Sequence, residues 1–422
     1  MSAPSPLRNS SIRWVVFDSS ELEAARKILK SLEGDTTVDL LGLGNYGEQI
    51  ADILFPGTST LHSRIRYQIF IPTLLYAISL SETHLDPGRQ LFELEYELQR
   101  ALIKNEPESV VGRNRGDKLK YWPSTTHWNS LNTLGFFGES YLSRSQALRI
   151  LDTKNRAYLK NDEGVSEDYS PAQLPLLPEF ADIASGITLI RKVHGKRQIK
   201  IREAVSFQLS KLEANLLYKQ ITHLHASSLY SHILKTTPYR KVRSITDFNQ
   251  IGTQGLQAHL KELISMARKY SYFSQGATIA HRWALCRFYS SEYEYAKNAI
   301  SYHEASFANW RSKIATLSDW SIGRLESAMN SVQQGEKGDS KLSRFAKRFV
   351  EICQKGSAIN ALESLVRERE DTVKFNRSHF RDKTRLLPKN VYEIRVELQD
   401  LFAFDFRWRI AKRNIEDILQ AL

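Results

Sequence analysis

Between Ile65 and Leu80 the chain reads IRYQIFIPTLLYAISL, with apolar side chains on nearly every face of the helix that this spacing implies. A helix that is apolar all round has no side to offer to water and must be enclosed by other elements. It is also shorter than the ~20 residues that span a bilayer, and it contains Arg66, Gln68 and Pro72. The segment therefore predicts a buried helix inside a soluble fold, starting around Thr58 to Thr60, running to about Ser81 and kinked at Pro72.

Other segments supply what could enclose it. IRWVVF, Ile12 to Phe17, reads as a short strand, and Ser20 with Glu23 forms a capping box for a helix that Gly34 can end. Short helices are expected at Gly47 to Leu54 and Gln90 to Lys104. A helix start at Pro123-Ser124, an end at Gly135 and a cap at Ser143 resemble a helix-turn-helix near 124–151. Residues 161–179 are acidic and Pro-rich and are expected to link two domains. Beyond them the pattern is helical: Ser210 with Glu213 is a second capping box, periodic stretches cover 255–310 and 340–370, QQGEKGDS at 333–340 reads as a loop, and a last helix runs from Arg409 to Leu422. The expected fold class is mainly α with a minor α+β N-terminal part, as an N-terminal domain over 1–160 and a helical C-terminal domain over 180–422.

A chain of 422 residues can bury a sizeable core. Cys286 and Cys353 are too few for a disulfide framework or a cysteine zinc site, so a reducing cytoplasm is the expected location. The N-terminal MSAPSPLRNSSIRW lacks the apolar core of a signal peptide. The formal net charge is +12 and the pI near 9.4, which points to an acidic partner, either nucleic acid or an anionic surface.

Catalytic motifs fail on their own spacing. GLGNYG, Gly42 to Gly47, is a literal GxGxxG, but Pro56 cuts short the helix that should follow it, and a turn between helices is the better reading. His223 and His225 lie two apart on an expected helix, where they face different ways. HGK at His194 to Lys196 would need an acid where Ile201 stands. His303-Glu304 lacks the second histidine of HExxH, and no serine sits in GxSxG. PGTST, Pro56 to Thr60, either offers free N–H groups to an anion at a helix start or simply caps that helix.

Charge is clustered instead. From Arg100 to Lys160 there are eleven basic and five acidic residues, half the net charge of the chain. Arg113, Arg115, Lys118 and Lys120 precede Tyr121, Trp122 and Trp128, a mixture that suits phosphate contact and base stacking if the tryptophans are exposed, and a basic loop over a core if they are buried. In LFAFDFRWRIAKR, Leu401 to Arg413, Phe402, Phe404, Phe406 and Trp408 alternate as on a strand. Arg409, Lys412 and Arg413 gather if a helix starts there.

Taken together, IRWVVFDSS and LGLGNYGEQIADILFPGTSTLHSRIRYQIFIP resemble the opening of an uncharacterised prokaryotic family, a domain of unknown function. Its members carry an LFPGTST-type phrase, matched at Leu54 to Thr60, a Gly-Arg and Tyr-Trp region, matched by VVGRNRG and THWNSLNTLGFF, and a DYRW-like phrase before a final helix, matched by DFRWRIAKRNIEDIL. Phe406 stands where a tyrosine is expected. The resemblance implies no established activity; it implies genes lying near helicases and nucleases in anti-phage defence clusters.

The resulting expectation is a non-catalytic, nucleic-acid-associated subunit of a multi-protein prokaryotic anti-phage defence system. Its partners would be DNA or RNA and a protein such as a helicase or nuclease, with no membrane, cofactor or metal. Arg64, Arg66, Arg113, Arg115, Lys118, Lys120, Arg409 and Arg413 are the expected phosphate contacts. Two alternatives stay open: a metal-dependent nuclease using scattered carboxylates with His223 or His225, and a scaffold docking an acidic partner subunit.

Overall fold

The all-round apolar segment is the helix Tyr67–Ser79, in which eleven of thirteen residues are buried. The computed structural model describes residues 39–81, 85–115, 119–162, 173–193, 196–332, 339–381 and 403–422. Within them the chain forms α1 (Gly44–Leu54), α2 (Tyr67–Ser79), α3 (Pro87–Asn105), α4 (Pro123–Thr126), α5 (Trp128–Thr133), α6 (Arg144–Asp162), α7 (Glu179–Ile187), strands β1 (Thr188–Val193) and β2 (Lys196–Ile201), α8 (Lys211–Leu224), α9 (Leu229–Thr236) and α10 (Tyr239–Ser244). The rest comprises α11 (Ala258–Tyr289), α12 (Glu294–Arg311), α13 (Ile322–Val332), α14 (Ser340–Gln354), α15 (Glu363–Lys374) and α16 (Trp408–Ala421). The fold is mainly α with a minor β part, and no described helix is long and apolar enough to cross a membrane.

Helix α2 is enclosed by α3, α6, α7 and β1. Its polar residues are satisfied locally: Gln68 Nε2 donates to the Gly57 carbonyl at 3.1 Å and to Ser130 Oγ at 2.6 Å, and Thr73 Oγ1 donates to the Ile69 carbonyl at 2.8 Å. Pro72 lies inside the helix, where it cannot donate to the carbonyl of Gln68. The helix begins at Tyr67, later than the expected start at Thr58 to Thr60. Residues 58–66 instead form turns, because Thr58 Oγ1 closes back on the Phe55 carbonyl at 2.6 Å and the His62 amide on the Ser59 carbonyl at 3.0 Å.

The caps behave as local chemistry requires. Ser210 and Glu213 form both halves of the capping box of α8. Ser143 Oγ accepts from the Gln146 amide while Gln146 Oε1 accepts from the Ser143 amide, which starts α6. The expected helix-turn-helix near 124–151 is not formed. Its first helix is broken at His127 into two short pieces, and residues 134–143 make a longer connection held by buried Phe136 and Phe137 and by Gly135 and Gly138 at positive φ.

The described strands lie at 188–201 rather than in the first 160 residues, paired antiparallel from Thr188 opposite Ile201 to Val193 opposite Lys196. The strand expected at Ile12 to Phe17, the helix after it and most of the loop at 333–340 lie outside the described residues. One hydrophobic core joins side chains on both sides of 161–179, from Leu41 to Ile418.

The second half is organised by α11, a helix of 32 residues against which α12, α13, α14 and α15 pack. Trp310 of α12 lies on Gly276, so close that a Cβ there would sit 2.2 Å from the indole Cζ2. Gly276→Ala is expected to destabilise the protein by about 1–3 kcal/mol through overpacking, despite the ~1 kcal/mol that alanine favours within a helix. Urea denaturation measures this, and an unchanged midpoint would mean that Trp310 moves aside freely. Cys286 and Cys353 are buried free thiols, and burial pushes each up to about 12.

Candidate functional site

Two phrases far apart in sequence, LFPGTST and DFRW, meet at one polar cleft. After α1 the chain turns at Gly57, which has φ +74°. The Gly57 carbonyl accepts from Gln68 and from Ser130 Oγ, which fastens the PGTST loop to α2 and α5. The second phrase arrives by a left-handed turn: Phe406 and Arg407 have φ of 48° and 63°. Such conformations cost non-glycine residues roughly 1–2 kcal/mol each. Packing and hydrogen bonds hold them in place. Phe406 is buried against Phe248 and Phe404, and the Arg407 amide donates to Asp405 Oδ1 at 2.9 Å. The Arg407 guanidinium donates to Asp52 Oδ1 at 2.6 Å, to the Thr58 carbonyl at 2.7 Å and to Glu48.

This turn overturns the expected strand from Phe404 to Trp408; Phe402 lies outside the described residues. Two consecutive left-handed residues bring Phe404 and Phe406 together as a stacked pair, centroids 5.8 Å apart, and α16 starts at Trp408. Phe404 also rests on Gly47, where a Cβ would meet its ring at 2.6 Å. The third glycine of GLGNYG is thus a packing position within α1, and Gly42 supplies a positive-φ turn before it.

The cleft holds about 620 Å³ and is walled by the PGTST loop, Asp52, His62, Asn129, His225 and Arg407 among others. His62 stacks on His127 with ring centroids 4.1 Å apart. His62 Nε2 faces the Thr126 carbonyl at 3.2 Å and His127 Nδ1 faces the Pro123 carbonyl at 3.2 Å. A carbonyl can only accept, so His62 Nε2 carries its proton; His127 Nδ1 also lies 3.0 Å from Thr126 Oγ1, a hydroxyl that can donate or accept. His62 Nδ1 is therefore a bare acceptor, and both it and His127 Nε2 are buried without a partner. Burial lowers His62 to about 4, with the Thr126 carbonyl opposing it and Arg407 lowering it further. Burial and the neighbouring His62 hold His127 well below the usual imidazole range. Both rings are neutral at pH 7, so the pair presents hydrogen-bonding edges and a stacked surface.

His225 donates through Nε2 to the Thr133 carbonyl at 2.8 Å, and burial lowers its pKa. His223 is exposed in the last turn of α8, so the two histidines of HLH face different surroundings. Among the described residues, no group of three or more His, Cys, Asp or Glu is arranged to hold a metal ion.

The expected phosphate contacts are dispersed. Arg64 donates to both carboxylate oxygens of Asp417, at 3.0 and 2.8 Å, and lies over the Phe207 ring. Arg66 is buried, bonded to Glu213 and to the Ser206 carbonyl. Arg413 donates to the Ser63 carbonyl at 2.8 Å, and half-buried Arg113 donates to the Glu106 carbonyl. Arg115, Lys120 and Arg409 are exposed, and Lys118 lies outside the described residues. Trp122 and Trp128 are buried, Trp122 against Phe92 and Tyr96 and Trp128 against Phe137, so neither ring is available to stack on a base.

Sequence reasoning passed over Arg240, Lys241 and Arg243, exposed on α10. That helix packs on α16, where Lys412 donates to the Arg243 carbonyl at 2.9 Å and Arg409, three residues earlier, is exposed with its Nε 3.7 Å from Asp405 Oδ2. The run YRKVR was the available signal. Arg407 was missed because its phrase read as a strand, with the neighbouring Arg409 taken as the phosphate ligand.

No curated protein and no solved structure matches the chain. Residues 9–148, about a third of it, match the model of DUF6361, a family of unknown function; that stretch contains LFPGTST and THWNS but not the turn that delivers Arg407.

Proposed function

We propose that the protein is a non-catalytic, nucleic-acid-associated subunit of a multi-protein prokaryotic defence system, binding phosphate through the face shared by α10 and α16. The observation that carries this reading is the group of exposed cations Arg240, Lys241, Arg243 and Arg409 on two packed elements. The charge of +12 supports it, as does the resemblance of the N-terminal phrases to a family associated with defence clusters. Arg115 and Lys120 offer a second, smaller point of attachment. Phosphate binding by such side chains is independent of sequence and releases counterions, so affinity should fall steeply with salt.

The test is titration of labelled single- and double-stranded DNA and RNA at several salt concentrations. Reversing Arg240, Lys241, Arg243 and Arg409 to glutamate is expected to weaken binding at least about tenfold and to flatten the salt dependence on duplex DNA, by about 0.9 in log–log slope for each phosphate no longer neutralised. Equal binding by the variant and the wild type would remove this face from the reading. No binding at low salt would remove nucleic acid as a ligand of the isolated chain.

A further inference from the structure

A protein with this excess of positive charge has a cleft where the balance runs the other way. Among the described residues lining it, only Asp52 and Arg407 carry a formal charge, and Glu48, bonded to the same guanidinium, adds a second carboxylate. Asp52 and Glu48 each commit one oxygen to Arg407, while their side chains remain 64% and 55% exposed. Two carboxylates against one guanidinium leave a net negative rim.

A separate observation agrees in sign. His62, only 5% exposed and part of the cleft wall, has Nδ1 without a partner, and its tautomer makes that atom an acceptor. A buried acceptor without a donor is destabilising, and a donating ligand would relieve that. The PGTST loop therefore borders a site unsuited to phosphate. An anion would meet Asp52 and Glu48, and both Nη atoms of the guanidinium that could attract it are already held by the two carboxylates and the Thr58 carbonyl, which leaves only the buried Nε without a partner.

We infer that this cleft binds an organic cation, a guanidinium or ammonium group that donates to Asp52, Glu48 and His62 Nδ1. The cleft already holds one guanidinium through charge-assisted hydrogen bonds to two carboxylates and a bond to a carbonyl. Its volume accommodates a small polyamine or the arginine or lysine side chain of a partner protein. This inference goes beyond the nucleic-acid reading and does not depend on it, since Asp52 and His62 are separate from the basic face of α10 and α16.

Isothermal titration of the full chain with spermidine, agmatine and the peptide acetyl-Gly-Arg-Gly-amide tests it, with AMP and inorganic phosphate as anionic probes. Asp52→Asn and Glu48→Gln each leave Arg407 one carboxylate, and thermal melting checks that each variant folds. The expected result is saturable binding of at least one cationic probe, weakened about tenfold or more in each variant by the removal of one charge-assisted hydrogen bond, with any binding of the anions unchanged by either substitution. Binding of the free amines identifies a small-molecule ligand, and binding of the peptide alone identifies a partner's side chain. Failure of all three cations, affinity unchanged in Asp52→Asn, or binding of AMP or phosphate that tightens in Asp52→Asn would each overturn the inference.

Discussion

Glu213→Ala is expected to destabilise the protein by about 3–5 kcal/mol, the cost of leaving one member of a buried ion pair alone. Glu213 Oε1 accepts from Arg66 Nη2 at 2.9 Å and from Nε at 3.2 Å, with both residues buried. Its other oxygen accepts from the Ser210 amide at 2.6 Å, which completes the capping box of α8. One carboxylate thus neutralises an arginine beside the most apolar helix and starts another helix. Truncation strands the Arg66 guanidinium among apolar groups and opens the cap. Urea denaturation of the variant measures the effect, and a cost below about 1 kcal/mol would mean that the pair acts like an exposed one. Replacing Arg66 by methionine and Glu213 by glutamine together should cost less than Glu213→Ala alone, because no unpaired charge remains.

The second large effect is dependent on pH. Glu370 of α15 is fully buried and accepts from His281 Nε2 at 2.5 Å, from His379 Nδ1 at 2.7 Å and from the His379 amide at 2.7 Å. Burial pushes its carboxyl up, but the hydrogen bonds from the two histidines outweigh this and hold it at about 2, against an ordinary value of 4.5. A depressed carboxylate contributes stability above its unfolded value and loses it as pH falls through its folded value. The difference corresponds to roughly 3 kcal/mol, fully present above about pH 5 and lost between there and about pH 2. Glu370→Gln is therefore expected to lower the melting temperature markedly at pH 7 and by much less near pH 3. An equal penalty at both values would assign the effect to packing and leave the ionised carboxylate without a role.

Glu95 shows the opposite sign. It is buried in α3, accepting from the Ser124 amide and hydroxyl, and burial raises it to about 7 despite those bonds and the nearby Arg144. Ionising it costs stability as pH rises from its unfolded value through 7. Glu95 and Glu370 are both glutamates within helical patterns in the sequence. Their contrasting behaviour comes from what other elements bring to each: for Glu95 burial that the Ser124 bonds do not offset, for Glu370 bonds from His281 and His379 that outweigh burial.

The legible features were those whose causes lie within a few residues. The apolar surface of Ile65 to Leu80, the capping box at Ser210 and Glu213, the Ser143 cap and the period of Arg409 to Leu422 all act over one or two helical turns, and each is present in the fold. The start of α2 was not legible at Thr58. That loop is held by Ser130 and by an arginine 349 residues away, and a cap motif alone cannot report either bond. The alternation in LFAFDFRW failed for a related reason. Its spacing suits a strand, but the Arg407 bonds to Asp52, Thr58 and Glu48 support a left-handed turn that no local preference would select.

What the amino-acid order determined by itself is a mainly helical chain with an enclosed apolar helix and an excess of positive charge. Helical period, caps and side-chain charge are properties of neighbouring residues or of composition. Only the tertiary structure decided which of those charges remain available. Arg64 and Arg66 are neutralised by Asp417 and Glu213, which lie 353 and 147 residues further along. Arg409 stays in water, its exposed side chain 3.7 Å from Asp405, and Arg407, two residues earlier, turns inward to the cleft. A cation's role depends on the carboxylates that folding brings within a few ångströms, and that distance is not a function of separation along the chain.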